Sequence, residues 1–283
     1  MKILVTGAAG ITGKAVISNL KEKSVSVRAM IHKESERDIV LGYGATEITV
    51  GDVRNPDDVA RAVDGVDNIY HICSTANPSE DKIGNIIINE AEKHGVTRFV
   101  YHSVLHSILD DLPHHRRKLA VERMLMDSNL AYTIIQPAAL MQNLVLPPII
   151  NEGVFHQKFF TNGDTRMNLV DLNDVAEFAA IALTETGFEY GTYEICGPQN
   201  LSLDDMTDIF SEVFNREVTP EFVTDEAFAA QMQKAGRPDG IIQTLLKMFH
   251  HYNRNGFMGN PYVATYLLGR NPKSLKEYLL SKK

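Results

Sequence analysis

Three glycines spaced three apart, Gly7, Gly10 and Gly13, follow the apolar run Ile3-Leu4-Val5 and precede the amphipathic stretch Ile11, Ala15, Val16 and Leu20. Strand, glycine turn and helix in that order can hold a dinucleotide. Gly7 can take the backbone angles of a sharp turn, Gly10 admits a pyrophosphate to the main chain, and Gly13 lets the helix pack on the strand. Free N–H groups at the helix start then face the phosphates. Gly7, Ala9, Gly10, Ile11, Thr12 and Gly13 are therefore the candidate phosphate-binding residues. A second group of reactive types is His114 and Lys118. His114 and Lys118 are four residues apart, so a helix presents both on one face. Histidine can move a proton near neutral pH, and a fixed ammonium beside it suits a developing alkoxide or amine. The same residues also fit a plainer pattern. Pro113-His114-His115 can open a helix, and Lys118 with Glu122 makes an ordinary surface pair.

Alternating strands and helices must position these groups. Val25–Ile31, Ile48–Val50, Val66–Ile72, Arg98–Ser103 and Tyr132–Pro137 read as further strands, with helices over Ile83–His94 and through Leu119–Met126. That alternation predicts an α/β fold, a doubly wound parallel sheet of the Rossmann type. The dinucleotide-binding domain spans residues 1–150 and is completed by about 165–197. Residues 151–164 and 198–283 form a smaller, mostly helical C-terminal lobe on the substrate side, including Val218–Val223. Asn55 with Pro56 caps a helix, Asp171 or Asn173 caps another, and Ser274 lies at the start of a terminal one.

The residue closing the second strand selects the cofactor. An acid there bonds the NAD ribose, whereas cations accept the 2′-phosphate of NADP. The strand ends Ile31-His32-Lys33, with no acid before Glu34, which predicts NADP and leaves NAD open through Glu34. Ligands bind beyond the carboxyl ends of parallel strands, which brings Cys73 and Ser74 to the nicotinamide ribose.

The N-terminal T-G-x-x-G-x-x-G form resembles the extended and atypical short-chain dehydrogenases/reductases. The stretches GVTRFVYHSV, Lys118-x-x-x-Glu122 and LAYTIIQPAALMQN narrow the resemblance to the NmrA-like group, over most of residues 1 to 185. It implies that His32, at the position of the family arginine, and Lys33 hold the 2′-phosphate, and that Asp52 or the Val53 amide touches the adenine. The enzymes it resembles use serine, tyrosine and lysine, which implies Ser103 and Lys118 here. His114 stands where their tyrosine would be. Gln136 and Pro137 are expected to line the nicotinamide, and Met141, Asn143, Phe155 and Phe160 the substrate, with Phe159 and Met167 on the same apolar wall. The resemblance implies an NADPH-dependent reductase of a small, largely apolar carbonyl, quinone, imine or enone. The alternative is a non-catalytic NADP(H)-sensing regulator acting through a protein partner, as in the fungal repressors of this group.

A formal charge of −8 argues against nucleic-acid binding. No apolar run approaches the ~20 residues of a membrane span. Two cysteines, Cys73 and Cys196, match no metal spacing and suit a reducing cytoplasm. His102 and His106 have ligand spacing only if helical, and they follow a strand, so no metal is expected. A monomer or homodimer acting on a small molecule is the expected form.

Overall fold

Short apolar runs alternate with amphipathic stretches through the first half of the chain, and each becomes the element its period requires. The computed structural model describes residues 1–158 and 165–283. The elements are β1 (Lys2–Val5), α1 (Ile11–Leu20), β2 (Ser26–Ile31), α2 (Arg37–Tyr43), β3 (Glu47–Val50) and α3 (Pro56–Val63). There follow β4 (Asn68–His71), α4 (Glu80–Lys93), β5 (Arg98–His102), α5 (Pro113–Met126) and β6 (Ala131–Pro137). The later chain adds β7 (Ala139–Leu140), α6 (Leu146–Glu152), β8 (Val154–Gln157), β9 (Met167–Val170), α7 (Leu172–Thr184) and β10 (Gly191–Ile195). It ends with β11 (Asn200–Leu201), α8 (Leu203–Phe214), β12 (Thr219–Phe222), α9 (Asp225–Lys234), α10 (Asp239–Asn255), α11 (Tyr262–Leu268) and α12 (Leu275–Leu280).

Seven strands form one sheet in the order β10-β6-β5-β4-β1-β2-β3. β1 pairs in parallel with β2 and β4, and the order reverses around it as in a doubly wound Rossmann sheet. Against this sheet, Val59, Ile83, Ile87, Val121 and Leu125 from α3, α4 and α5 join Leu4, Ile69, Phe99, Tyr101 and Ile134 in one buried cluster. Asn55 caps α3 by accepting the Asp57 N–H at 3.0 Å, with Pro56 in the first turn. Helix α4 begins at Glu80, one turn before the expected start at Ile83. The Asn77 side chain accepts the Ser79 N–H at 2.9 Å, and acids at Glu80 and Asp81 suit the positive end of the helix dipole.

The chain divides into two compact units. One comprises Met1–Asp111, His115–Gln136 and Val175–Tyr193; the other comprises Leu112–His114, Pro137–Asp174 and Glu194–Lys283. In the second unit β9 pairs in parallel with β7 and antiparallel with β11, while β12 pairs in parallel with β8. The expectation of helix over Val218–Val223 is therefore corrected. Pro220 is incompatible with a helix interior but tolerable in a two-stranded ribbon, where it lies opposite Phe155. The Asp171 carboxylate accepts the Asn173 N–H at 3.1 Å at the start of α7, and Ser274 and Glu277 form a capping box on α12. Among the described residues no helix is long and apolar enough to cross a membrane.

Candidate active site

The glycine turn is built as its spacing requires. Gly7 has φ +59°, the left-handed region that glycine occupies without strain. A Cβ at Gly13 would stand 2.4 Å from the Gly7 carbonyl oxygen and 2.7 Å from the Ala8 Cα, so the close packing of α1 on the turn excludes any side chain there. Gly10 is the N-cap of α1, and among the described residues no side chain caps the helix. The first-turn N–H groups therefore lack intrahelical partners. Gly7, Gly10 and Ile11 are exposed, Ala9 is half-buried, and Thr12 is buried. An exposed, uncapped helix start behind a glycine turn fits a pyrophosphate.

At the end of β2, His32 and Lys33 are exposed. Their backbone N–H groups donate to one oxygen of Glu36, at 3.0 and 3.2 Å. The Glu34 carboxylate is engaged instead by Arg37, which holds it below the usual carboxylate range. Glu36 is thus the acid that closes this strand end, through the main chain. Asp52 is bound by the Arg54 guanidinium at 2.6 Å and held down at about 2, while its own N–H donates to Asp58 at 2.8 Å. Val53 packs on the core edge.

Lys118 is buried and does not pair with Glu122. Its Nζ lies 2.6 Å from Glu80 Oε1, donates to the His102 carbonyl oxygen at 2.6 Å, and stands 5.1 Å from the centre of the Tyr101 ring. Glu80 is 0% exposed, and the Tyr101 hydroxyl donates to the same Oε1 at 3.0 Å. This contact depends on a close approach of α4 and α5. A Cβ at Gly84, one turn beyond Glu80, would meet Val121 Cγ2 at 2.6 Å. Around the ion pair His71, His102 and Cys73 are held neutral. Burial and the Lys118 charge push His71 down to about 3 and His102 well below its ordinary value. Burial and the Glu80 charge push the Cys73 thiol up to about 12, which leaves it a poor nucleophile. His71 Nδ1 shares a 2.8 Å hydrogen bond with the Thr6 hydroxyl, and His102 Nδ1 one of 2.6 Å with the Tyr70 hydroxyl. Ser74 is exposed in the loop leading to Glu80, where its carbonyl oxygen accepts the Asn77 N–H at 3.1 Å.

Ser103 belongs to a different cluster. Its hydroxyl donates to Glu122, as does Ser107 at 2.9 Å and the Gln136 amide at 2.9 and 3.1 Å. Glu122 is 3% exposed and receives neutral donors from the loop after β5 and from β6. Ser103 and Lys118, expected to act together, are thus each committed to a separate carboxylate.

A model of the NmrA-like family matches residues 1–279. The chain belongs to that family. The NAD(P)H azoreductase of Xenophilus azovorans is 26% identical over 250 residues, covering 87% of this chain and 86% of its own. Quinone oxidoreductase 2 of Escherichia coli (strain K12) is 24% identical over 279 residues, covering 97% and 96%. The crystal structure of the latter, described as NADPH-dependent and complexed with NADPH, matches at a TM-score of 0.83 over 99% of each chain, with 24% identity. Distant relatives of this NmrA-like chain are therefore NAD(P)H-dependent reductases, and they match it along nearly its whole length.

In this NmrA-like protein α5 carries both His114 and Lys118, and both are buried. The adjoining His115 donates from Nδ1 to the His106 carbonyl oxygen at 2.9 Å. No cluster of three or more His, Cys, Asp or Glu suited to a metal occurs among the described residues. Pro137 ends β6. Within the second unit, Met141, Phe155 and Met167 are buried core side chains, Phe155 edge-on to Phe210 at 5.0 Å. Asn143 is exposed, next to Gln142, which donates to Asp171 at 2.7 Å and accepts the Leu172 N–H at 3.0 Å. Phe159 and Phe160 lie outside the described residues.

Glu80 and Ser107 were not singled out from sequence. An acid in a helix first turn was a usable signal for Glu80; nothing in the spacing pointed to Ser107.

Proposed function

We propose that this chain is an NADPH-dependent reductase of a small, largely apolar acceptor, a quinone or a related conjugated carbonyl. The observation that carries the reading is the exposed, uncapped start of α1 behind Gly7 and Gly10, with His32 and Lys33 exposed at the end of β2. Relatives that are NAD(P)H-dependent reductases along nearly the whole chain support the same reading. NADPH, when bound, supplies the hydride. The first-turn N–H groups of α1 hold the pyrophosphate, and His32 and Lys33 hold the 2′-phosphate. Lys118, with one N–H left beyond its bonds to Glu80 and His102, orients the nicotinamide ribose and keeps a positive charge near the reacting carbonyl.

The test is calorimetric titration with NADPH and NADH, followed by loss of NADPH absorbance with a panel of quinones, enones, imines and azo dyes. NADPH is expected to bind more tightly than NADH. His32→Ala with Lys33→Ala should weaken NADPH about ten-fold and leave NADH nearly unchanged. Gly10→Val should abolish binding of both while the fold survives. Undiminished NADPH binding by Gly10→Val refutes the site, and NADPH binding with no accepted substrate refutes the reductase.

A further inference from the structure

Glu80 lies outside every motif that carries the family resemblance, yet it is fully buried against the charged group on which the proposed reaction depends. We propose that Glu80 is the positioning residue for Lys118, fixing its ammonium from the first turn of α4. The inference rests on the reading of Lys118 as the residue that orients the nicotinamide ribose.

Three features separate this role from plain structural pairing. A buried ion pair is a weak way to stabilise a core, because desolvation offsets most of its attraction and apolar side chains of like volume do as well. Glu80 also leaves Oε2 buried with no hydrogen-bond partner among the described residues, an arrangement that packing alone disfavours. The carboxylate is itself held in place, since the Tyr101 hydroxyl donates to the same Oε1 that faces Lys118. Two of the three ammonium N–H groups are thereby directed at Glu80 and at the His102 carbonyl oxygen. The third has a fixed direction, and a lysine on a flexible four-carbon stem would not have one otherwise.

The loop before Glu80 extends the argument. It runs from Cys73 and Ser74 at the end of β4, where a bound nicotinamide ribose is expected, and is closed by Asn77 onto Ser74 and Ser79. A ligand resting on that loop therefore bears on the residue that aims Lys118.

The experiment is a double-mutant cycle on the full chain with Glu80→Gln, Lys118→Met and both together. NADPH affinity is read by calorimetry, and NADPH consumption is followed with a naphthoquinone. Glu80→Gln should lower kcat about ten-fold while KM for the quinone stays within about two-fold, and in the Lys118→Met background it should change kcat less than about two-fold. An equal loss in both backgrounds, or no loss in the parent background, overturns the proposal while leaving the proposed function standing. Where Glu80→Gln does not fold, Glu80→Asp carries the same cycle, since it keeps the charge but withdraws it from Lys118. If the parent binds NADPH but consumes it with no acceptor, the reductase reading has failed separately. The cycle is then read in NADPH affinity, where a coupling of about ten-fold supports the proposal and none overturns it. If the parent binds no NADPH, both readings fall.

Discussion

Glu80 and Glu122 are both buried carboxylates set against β5, one opening α4 and the other midway along α5, yet they are satisfied by opposite means. Glu80 faces an ammonium and a phenol; Glu122 faces two serine hydroxyls and a carboxamide. The first arrangement needs charge on both sides, because removing one partner leaves the other ionised in a dry interior. The second needs acceptor geometry, because neutral donors are satisfied by any well-placed oxygen. The difference assigns the two expected catalytic residues to separate environments. Lys118 sits in a charged pocket among neutral histidines, and Ser103 sits among uncharged donors gathered on Glu122 at the ends of β5 and β6.

The comparison is broken most directly at the cation. Lys118→Met should cost about 3–5 kcal/mol, and adding Glu80→Gln should recover most of that loss, since a buried pair removed whole is nearly neutral. Urea unfolding of the three variants checks this, and a single variant as stable as the parent would show that the pair carries no net charge interaction. Acid should expose the same side of the comparison. His71 is pushed down to about 3 and His102 well below its ordinary value, so the unfolded chain takes up protons that the folded chain refuses. Their contribution is complete above the unfolded histidine value of about 6.5 and falls by about 1.4 kcal/mol per pH unit for each histidine below it. His71→Asn should remove about one such increment from the slope of stability against pH.

Smaller effects sharpen the contrast. Gly84→Ala places a Cβ 2.6 Å from Val121, so α4 and α5 must separate, at about 1–3 kcal/mol. That separation should weaken the coupling between Glu80 and Lys118 measured in the double-mutant cycle. It should spare the Glu122 network, whose members all lie on β6, α5 and the loop between β5 and α5. Glu122→Gln should be the mildest change, about 1 kcal/mol in urea unfolding, because a carboxamide oxygen still accepts from Ser103 and Gln136. A loss matching that of Lys118→Met would mean that Glu122 also depends on its charge.

The sequence by itself determined the alternation of strands and helices, the glycine turn and most caps, since each rests on residues within one turn or one strand of each other. Gly7, Gly10 and Gly13 are legible because backbone sterics act locally, and Asn55-Pro56 because a cap reaches only two or three residues. The spacing of Lys118 and Glu122 was equally visible and still misleading, because which face of α5 is buried depends on what packs against it. Tertiary structure alone decided that Lys118 turns to Glu80, that Glu36 closes the end of β2, and that Glu122 gathers Ser103, Ser107 and Gln136. The physical reason is that partners for buried charge are chosen by proximity across a packed interface. A contact such as that of Gly84 with Val121, invisible as a pattern, sets which carboxylate an ammonium meets.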